Sequence, residues 1–186
     1  MKIKGNIIKS RIAFIKTHSG DEGWKKVLQA LPEDDRHQLE GLLTGLSWYS
    51  FDLGKRLDDA IIAVLGKGDR SFFERIGRAS ARENLMGVHK SFLSNGDPQA
   101  FMEKSPMIYK FYYDVGYRTY ERTGPTSGTL TTFEAETFSA ADCLTVIGWY
   151  KEGLELCGAT DVRASESSCR AEGADFCQYH FSWTME

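Results

Sequence analysis

Apolar side chains recur at helical spacing up to about residue 116 and then give way to β-branched runs broken by Gly and Pro. Trp24, Val27, Leu28 and Leu31 repeat at helical intervals behind Asp21 and Glu22, acidic residues that suit a helix N-terminus. Two helices are therefore expected over 9–19 and 20–31, the second ended by Pro32. Pro32-Glu-Asp-Asp opens a short helix with an acidic first turn, and Gly41 to Gly45 turns the chain toward Trp48-Tyr49-Ser50-Phe51. With Asp52 as cap, Leu53, Leu57, Ile61, Ala63, Val64 and Leu65 form an apolar stripe opposite Lys55, Arg56, Asp58 and Asp59, stopped by Gly66-Lys-Gly68. Asp69 caps a helix through Phe72, Phe73, Ile76, Ala79 and Leu85, and Asn95-Gly-Asp-Pro98 precedes another from Gln99 to about Val115. Ahead of these, Lys2 to Ile8 lacks a helical period and is expected to be a short strand.

Beyond Gly116 the pattern predicts a hairpin, Thr119 to Thr123 and Thr129 to Glu134 around Gly124-Pro-Thr-Ser-Gly128. A helix from about Ala140 to Leu156 follows, then a second hairpin from strands at 161–166 and 175–183, with Gly173 at its turn. This order implies an α+β fold, helices packed on a small antiparallel sheet, in a single domain over 1–186. Its helical part ends near 115 and its hairpin–helix–hairpin part runs over 116–186. On the 140–156 helix, Cys143, Ile147, Tyr150, Leu154 and Cys157 share one face, which should meet the sheet. Trp149 and Tyr150 there, with Tyr120 and Phe133 on the first hairpin, are the candidates to line a ligand pocket, core packing being the alternative.

Composition narrows the functional classes. A chain of 186 residues with 41% hydrophobic content can bury about 70% of its unfolded surface without a staple. A net charge of −3 offers no field to gather nucleic acid or an anionic membrane. No run approaches the roughly 18 apolar residues that span a bilayer, and lysines interrupt Met1 to Ser10 before any export signal forms, so this stretch reads as mature and the protein as cytoplasmic. His18, His37, His89 and His180 accompany no nucleophile motif, and Gly66-Lys-Gly68 lacks the spacing of a phosphate loop. The pairs Asp34-Asp35 and Asp58-Asp59 fall on polar faces where solvated charge is expected. No catalytic role is assigned.

The sharpest chemistry lies in the last third. Ser139-Ala-Ala-Asp142 reads as a capping box, which puts Cys143 in the first turn of a helix, where the dipole should lower its thiol pKa. Glu166-x2-Cys169-x7-Cys177 brings three more ligand types to the ends of one hairpin. Together Cys143, Glu166, Cys169 and Cys177 suit one tetrahedral zinc without an open position, hence a structural one. Other readings stand beside it: buried small thiols, a Cys169–Cys177 disulfide, or His180 as fourth ligand, although alternation sends 180 to the opposite face from 177.

The segment from Cys143 to Trp183, with Gly148-Trp149-Tyr150, Cys157-Gly158-Ala159, Glu166-Ser-Ser-Cys169-Arg-Ala-Glu-Gly173 and Phe176-Cys177-Gln-Tyr-His, resembles the 4-vinyl-reductase domain family. That resemblance includes the sensor domains of phenol-responsive activators, whose zinc ligands, three Cys and one Glu, fall on Cys143, Glu166, Cys169 and Cys177. The pocket position two before the ligand Glu, aromatic in those sensors, is Ala164 here. The whole chain also resembles a bacterial family of about this length in the superfamily of haem nitric-oxide sensors and Golgi tethering subunits. The haem sensors' Tyr-x-Ser-x-Arg element has no equivalent in Tyr117-Arg-Thr-Tyr-Glu-Arg122, which argues against haem. The resemblance implies a sensory or regulatory domain for a small, mostly apolar ligand, with structural zinc, a homodimer and a signalling partner. The alternative it implies is a dimeric assembly module, and an accessory role beside a reductase is the minor one.

Overall fold

The structure, a computed structural model, describes residues 1–136 and 139–185. Strand β1 (Lys2–Lys4) runs straight into helix α1 (Gly5–Gln29), so the expected strand over 2–8 is cut short. The reason is a cap supplied from afar: Gly5 N donates to Ser47 O at 2.9 Å and Asn6 N to Gly45 O at 3.0 Å, satisfying amides that open the helix. A Cβ on Gly5 would lie 2.1 Å from Thr44 O, so only glycine lets that loop approach. The two expected N-terminal helices are the arms of α1, broken at Gly20, whose φ of 66° and ψ of −173° only glycine adopts readily.

Helix α2 (Glu33–Glu40) leads to β2 (Trp48–Ser50), which pairs antiparallel with β1, Ile3 opposite Tyr49. Helix α3 (Phe51–Val64) begins at once, and its cap is Ser50 rather than Asp52: Ser50 Oγ accepts from Asp52 N at 3.2 Å. Helix α4 (Ser71–Met86) starts at Asp69, which accepts from Ser71 N at 2.9 Å. The single helix expected from Gln99 to Val115 is two, α5 (Pro98–Glu103) and α6 (Ser105–Tyr112). Pro106 lacks the N–H that would bond back into α5, and its ring crowds the preceding turn.

The second part follows the expected order with longer strands. Strands β3 (Tyr117–Gly124) and β4 (Ser127–Phe133) form the first hairpin, α7 (Ala140–Leu156) crosses, and β5 (Ala159–Ser168) and β6 (Cys177–Met185) form the second. All four strands make one antiparallel sheet in the order β3-β4-β6-β5. The fold is therefore α+β, with helices packed on a small antiparallel sheet.

Two cores share α7 and α4 as their common wall. One lies against the sheet around Leu130, Tyr150, Leu154, Tyr179, Phe181 and Trp183; the other joins the N-terminal helices through Ile8, Ile15, Val27, Leu57, Ile61 and Ile76. Helices α4 and α7 touch backbone to backbone: a Cβ on Gly77 would lie 2.1 Å from Thr145 O, and one on Gly148 would lie 2.0 Å from Glu74 O. Cys143, Ile147, Tyr150, Leu154 and Cys157 are all buried, as one face of α7 should be.

Candidate functional site

Ser139 Oγ accepts from Asp142 N at 3.0 Å and starts α7, which sets Cys143 in the first turn facing the sheet. Opposite it, β5 carries Glu166, and the turn into β6 carries Cys169 and Cys177, closed by Gly173 at φ 96°. Cys143 Sγ lies 3.6 Å from Cys177 Sγ and 3.8 Å from Cys169 Sγ, and one ligand atom of each of the four residues falls within 4.8 Å of the others. Arg170 N adds a hydrogen bond to Cys177 Sγ at 3.3 Å. Glu166 Oε1 is buried without a hydrogen-bond partner, an expensive state for a carboxylate oxygen and one that a cation would relieve. Among the described residues this is the His, Cys, Asp and Glu group that can hold a metal ion. His180 lies on the other face, bonded to Thr129 Oγ1 at 3.0 Å and Ser167 Oγ at 2.8 Å.

In the metal-free chain the thiols do not behave as their helix position suggests. The hydrogen bond to Cys177, reinforced by burial, holds the Cys143 thiol far above its ordinary range, overriding the helix N-terminus. The same bond pulls Cys177 down to about 6, and burial raises Cys169. Metal ligation needs the deprotonated thiols, so a cation entering the cluster would displace protons.

Beside the cluster, the helices enclose a cavity of ≈ 50 Å³ lined from α1 by Ile7 and Arg11, from α4 by Gly77 and Ser80, from α6 by Ile108, Tyr109 and Tyr112, from β3 by Arg118, and from α7 by Asp142, Val146, Trp149 and Tyr150. A second void of ≈ 20 Å³ is lined by Cys143 and Cys177, and the two voids share Tyr109, Tyr113, Arg118 and Asp142 as walls. Arg11 forks onto Asp58 through Nε at 2.6 Å and Nη2 at 3.0 Å, both residues being buried. Asp142 accepts from Tyr113 Oη at 3.1 Å, and burial holds its carboxyl above the usual range.

Of the pocket residues expected from sequence, Trp149 and Tyr150 line this cavity. Tyr120 and Phe133 do not: Tyr120 Oη donates to Gln99 Oε1 at 2.5 Å, and Phe133 stacks between Tyr117 and Phe176. Asp35 and Asp58, expected on solvated faces, are buried and ion-paired, with Arg56 and Arg11. Sequence reasoning also passed over Arg118 and Tyr112. The signal for Arg118 was its phase, two residues from Tyr120 on the inward face of a strand.

His89 is buried among Phe92, Phe111 and Tyr112, and Asn6 Nδ2 lies 3.1 Å from its Nε2, which suits a neutral ring accepting from the amide. Burial lowers its pKa. The unfolded chain then binds its proton first, so stability should fall as pH drops below about 6.5. Proton NMR is expected to place the His89 midpoint below that of an exposed histidine, and His89→Gln to flatten this acid limb of the stability curve.

No protein-family model matches the chain, and no curated protein does. The likeness to 4-vinyl-reductase domains thus remains one of motifs. Solved structures do match along the whole chain. An unliganded Fe(II) H-NOX protein variant from K. algicida superposes with TM-score 0.75 at 12% identity, covering 99% of this chain and 98% of that one. An H-NOX protein from S. oneidensis in the Fe(II)NO state gives 0.73 at 13%, covering 98% and 99%. An oxygen-binding H-NOX domain related to soluble guanylate cyclases gives 0.72 at 10%, covering 98% and 95%. At such identities the likeness is one of fold.

These structures are named for iron and its ligands, and another for haem distortion in the H-NOX family. That overturns the expected zinc cofactor: the cofactor named with this fold is haem. This chain's own residues do not fit a haem. Its cavity of ≈ 50 Å³ is far below the roughly 300–1,000 Å³ of sites for larger ligands. No His, Cys or Met lines it, and the Tyr109 and Tyr113 hydroxyls are bonded to Val115 O and Asp142. The chain shares the fold of these structures, and its own cavity is lined by Arg118, Asp142 and four tyrosines among others.

Proposed function

We propose that this chain is a small-molecule-binding regulatory domain without catalysis of its own. In this reading a ligand occupies the cavity between α1, α4, α6 and α7, and Cys143, Glu166, Cys169 and Cys177 clamp the β5–β6 hairpin to α7 around a metal ion. The observation that carries it is the shared wall. Tyr109, Tyr113, Arg118 and Asp142 border both the cavity and the void that reaches the cysteines, so occupancy of one bears directly on the packing of the other. The H-NOX neighbours support the reading at the level of architecture, since an oxygen-binding domain is built on the same fold. Three sulfurs and one carboxylate with ligand atoms within 4.8 Å of one another support a metal ion at this place.

Native mass spectrometry of the protein purified from cells tests this. The expected spectrum shows a mass excess over the chain that splits, on denaturation, into a metal ion and an organic molecule of a few heavy atoms. A bare chain at its sequence mass would overturn the reading.

A further inference from the structure

The cavity leaves two donors unspent. Arg118 is buried and charged, yet among the described residues it forms no ion pair with any carboxylate. Its Nε donates to Thr132 Oγ1 at 2.9 Å, its Nη1 reaches Tyr150 Oη at a long 3.4 Å, and its guanidinium carbon sits over the Tyr109 and Tyr150 rings at 5.0 and 5.5 Å. Two of the five N–H groups of a guanidinium are thereby used. Tyr112 Oη, also on the cavity wall, is sealed from solvent and has no partner. Native interiors seldom leave such donors unspent.

The neighbouring acid, Asp142, feels the charge of Arg118 but, among the described residues, makes no hydrogen bond or ion pair with it. Asp142 lies 3.9 Å from Arg11 Nη2 and accepts from Tyr113, while Asp58 is committed to Arg11. Apart from Ser80 and Thr145, whose hydroxyls donate to Ser10 Oγ and Asp142 O, the wall is completed by apolar and aromatic groups, among them Ile7, Ile108, Val146 and Trp149. At about 10–15 Å³ per water-sized group, ≈ 50 Å³ holds about three to five non-hydrogen atoms.

Resting on the ligand-binding reading above, we propose that the cavity takes a short-chain monocarboxylate of acetate or propionate size, its carboxylate on Arg118 and Tyr112 and its alkyl end against Ile108, Val146 and Trp149. A planar carboxylate matches the guanidinium fork and supplies acceptors for its unspent N–H groups and for the phenol.

The test is titration of the whole protein with propionate, propionamide and 1-propanol, followed at the Trp149 indole N–H in nitrogen–proton NMR spectra. Propionate is expected to shift that signal saturably, with propionamide at least about tenfold weaker. Tyr112→Phe should weaken propionate by about fivefold, and Arg118→Gln should abolish the preference for acid over amide. Equal binding of propionate and propionamide by the wild type, or propionate affinity unchanged in Tyr112→Phe, overturns the proposal without needing the Arg118 variant to fold. Binding of 1-propanol or the amide with no response to propionate overturns the carboxylate and leaves the ligand reading standing. Silence at Trp149 from all three, with no ligand retained in native mass spectra, sinks both.

Discussion

On the proposed metal site, Cys169→Ser is expected to abolish metal binding and to lower the melting temperature by 10 °C or more. The side chain sits between β5 and β6, 3.8 Å by sulfur from Cys143 on α7, so in the proposed site its loss removes one of the ligands that would tie the second hairpin to the helix across it. Structural thiolate sites contribute about 10–16 kcal/mol in small peptides, comparable with the whole stability of a domain at about 5–15 kcal/mol. A protein of this size loses about 2–4 °C of melting temperature per kcal/mol, so forfeiting even about 5 kcal/mol costs about 10–20 °C. Elemental analysis should show close to one ion per chain in the wild type and a small fraction in the variant, and a chelator should bring the wild-type melt down toward the variant's. Retained melting temperature in Cys169→Ser would mean that the sulfurs are a buried thiol cluster and that Glu166 is relieved in some other way.

The second large effect is expected at Arg11. Arg11→Met leaves Asp58 buried without its bidentate partner, and breaking a buried pair from one side costs about 3–5 kcal/mol. Thermal or urea unfolding should show the melting temperature about 6–20 °C lower. Adding Asp58→Leu removes the orphaned charge, and buried pairs replaced by apolar residues of similar volume are often neutral. The double variant should therefore recover most of the loss. Additive losses would show that Arg11 acts through Asp142 or Tyr113 instead of through Asp58.

How much of this was legible depended on how local the cause was. Helix α7 follows from Ser139 and from one face running through Cys143, Ile147, Tyr150, Leu154 and Cys157, all within a single segment, and the structure keeps those bounds. The four ligand-type residues are likewise set by one helix start and one hairpin turn, and they converge. What the sequence hid was fixed from afar. Helix α1 begins at Gly5 because carbonyls of Gly45 and Ser47 cap it, and no nearby side chain announces this. Strand β2 exists only as a partner for β1. Asp58 sits next to exposed Asp59 and reads as solvated until Arg11, 47 residues earlier, is seen to reach it. Arg118 and Tyr112 resemble ordinary members of an aromatic strand and helix, and only the closing of α1, α6 and α7 over them turns their unspent donors into a demand for a ligand.

The peptide-on-peptide crossing at Gly77 and Gly148 decides which walls of the chamber can give way. Joined without side chains between them, α4 and α7 have no cushion along which to slide and must travel as one plate. Any adjustment of the cavity to the proposed ligand would therefore fall on α1 and on the α6–β3 corner rather than on this seam. That corner is stitched through Tyr113 to Ile3 of the β1–β2 ribbon, whose tip carries the half-exposed Trp48 under Lys4. A displacement of that corner would reach the ribbon through this bridge, and the face around Trp48 is where it would be read from outside.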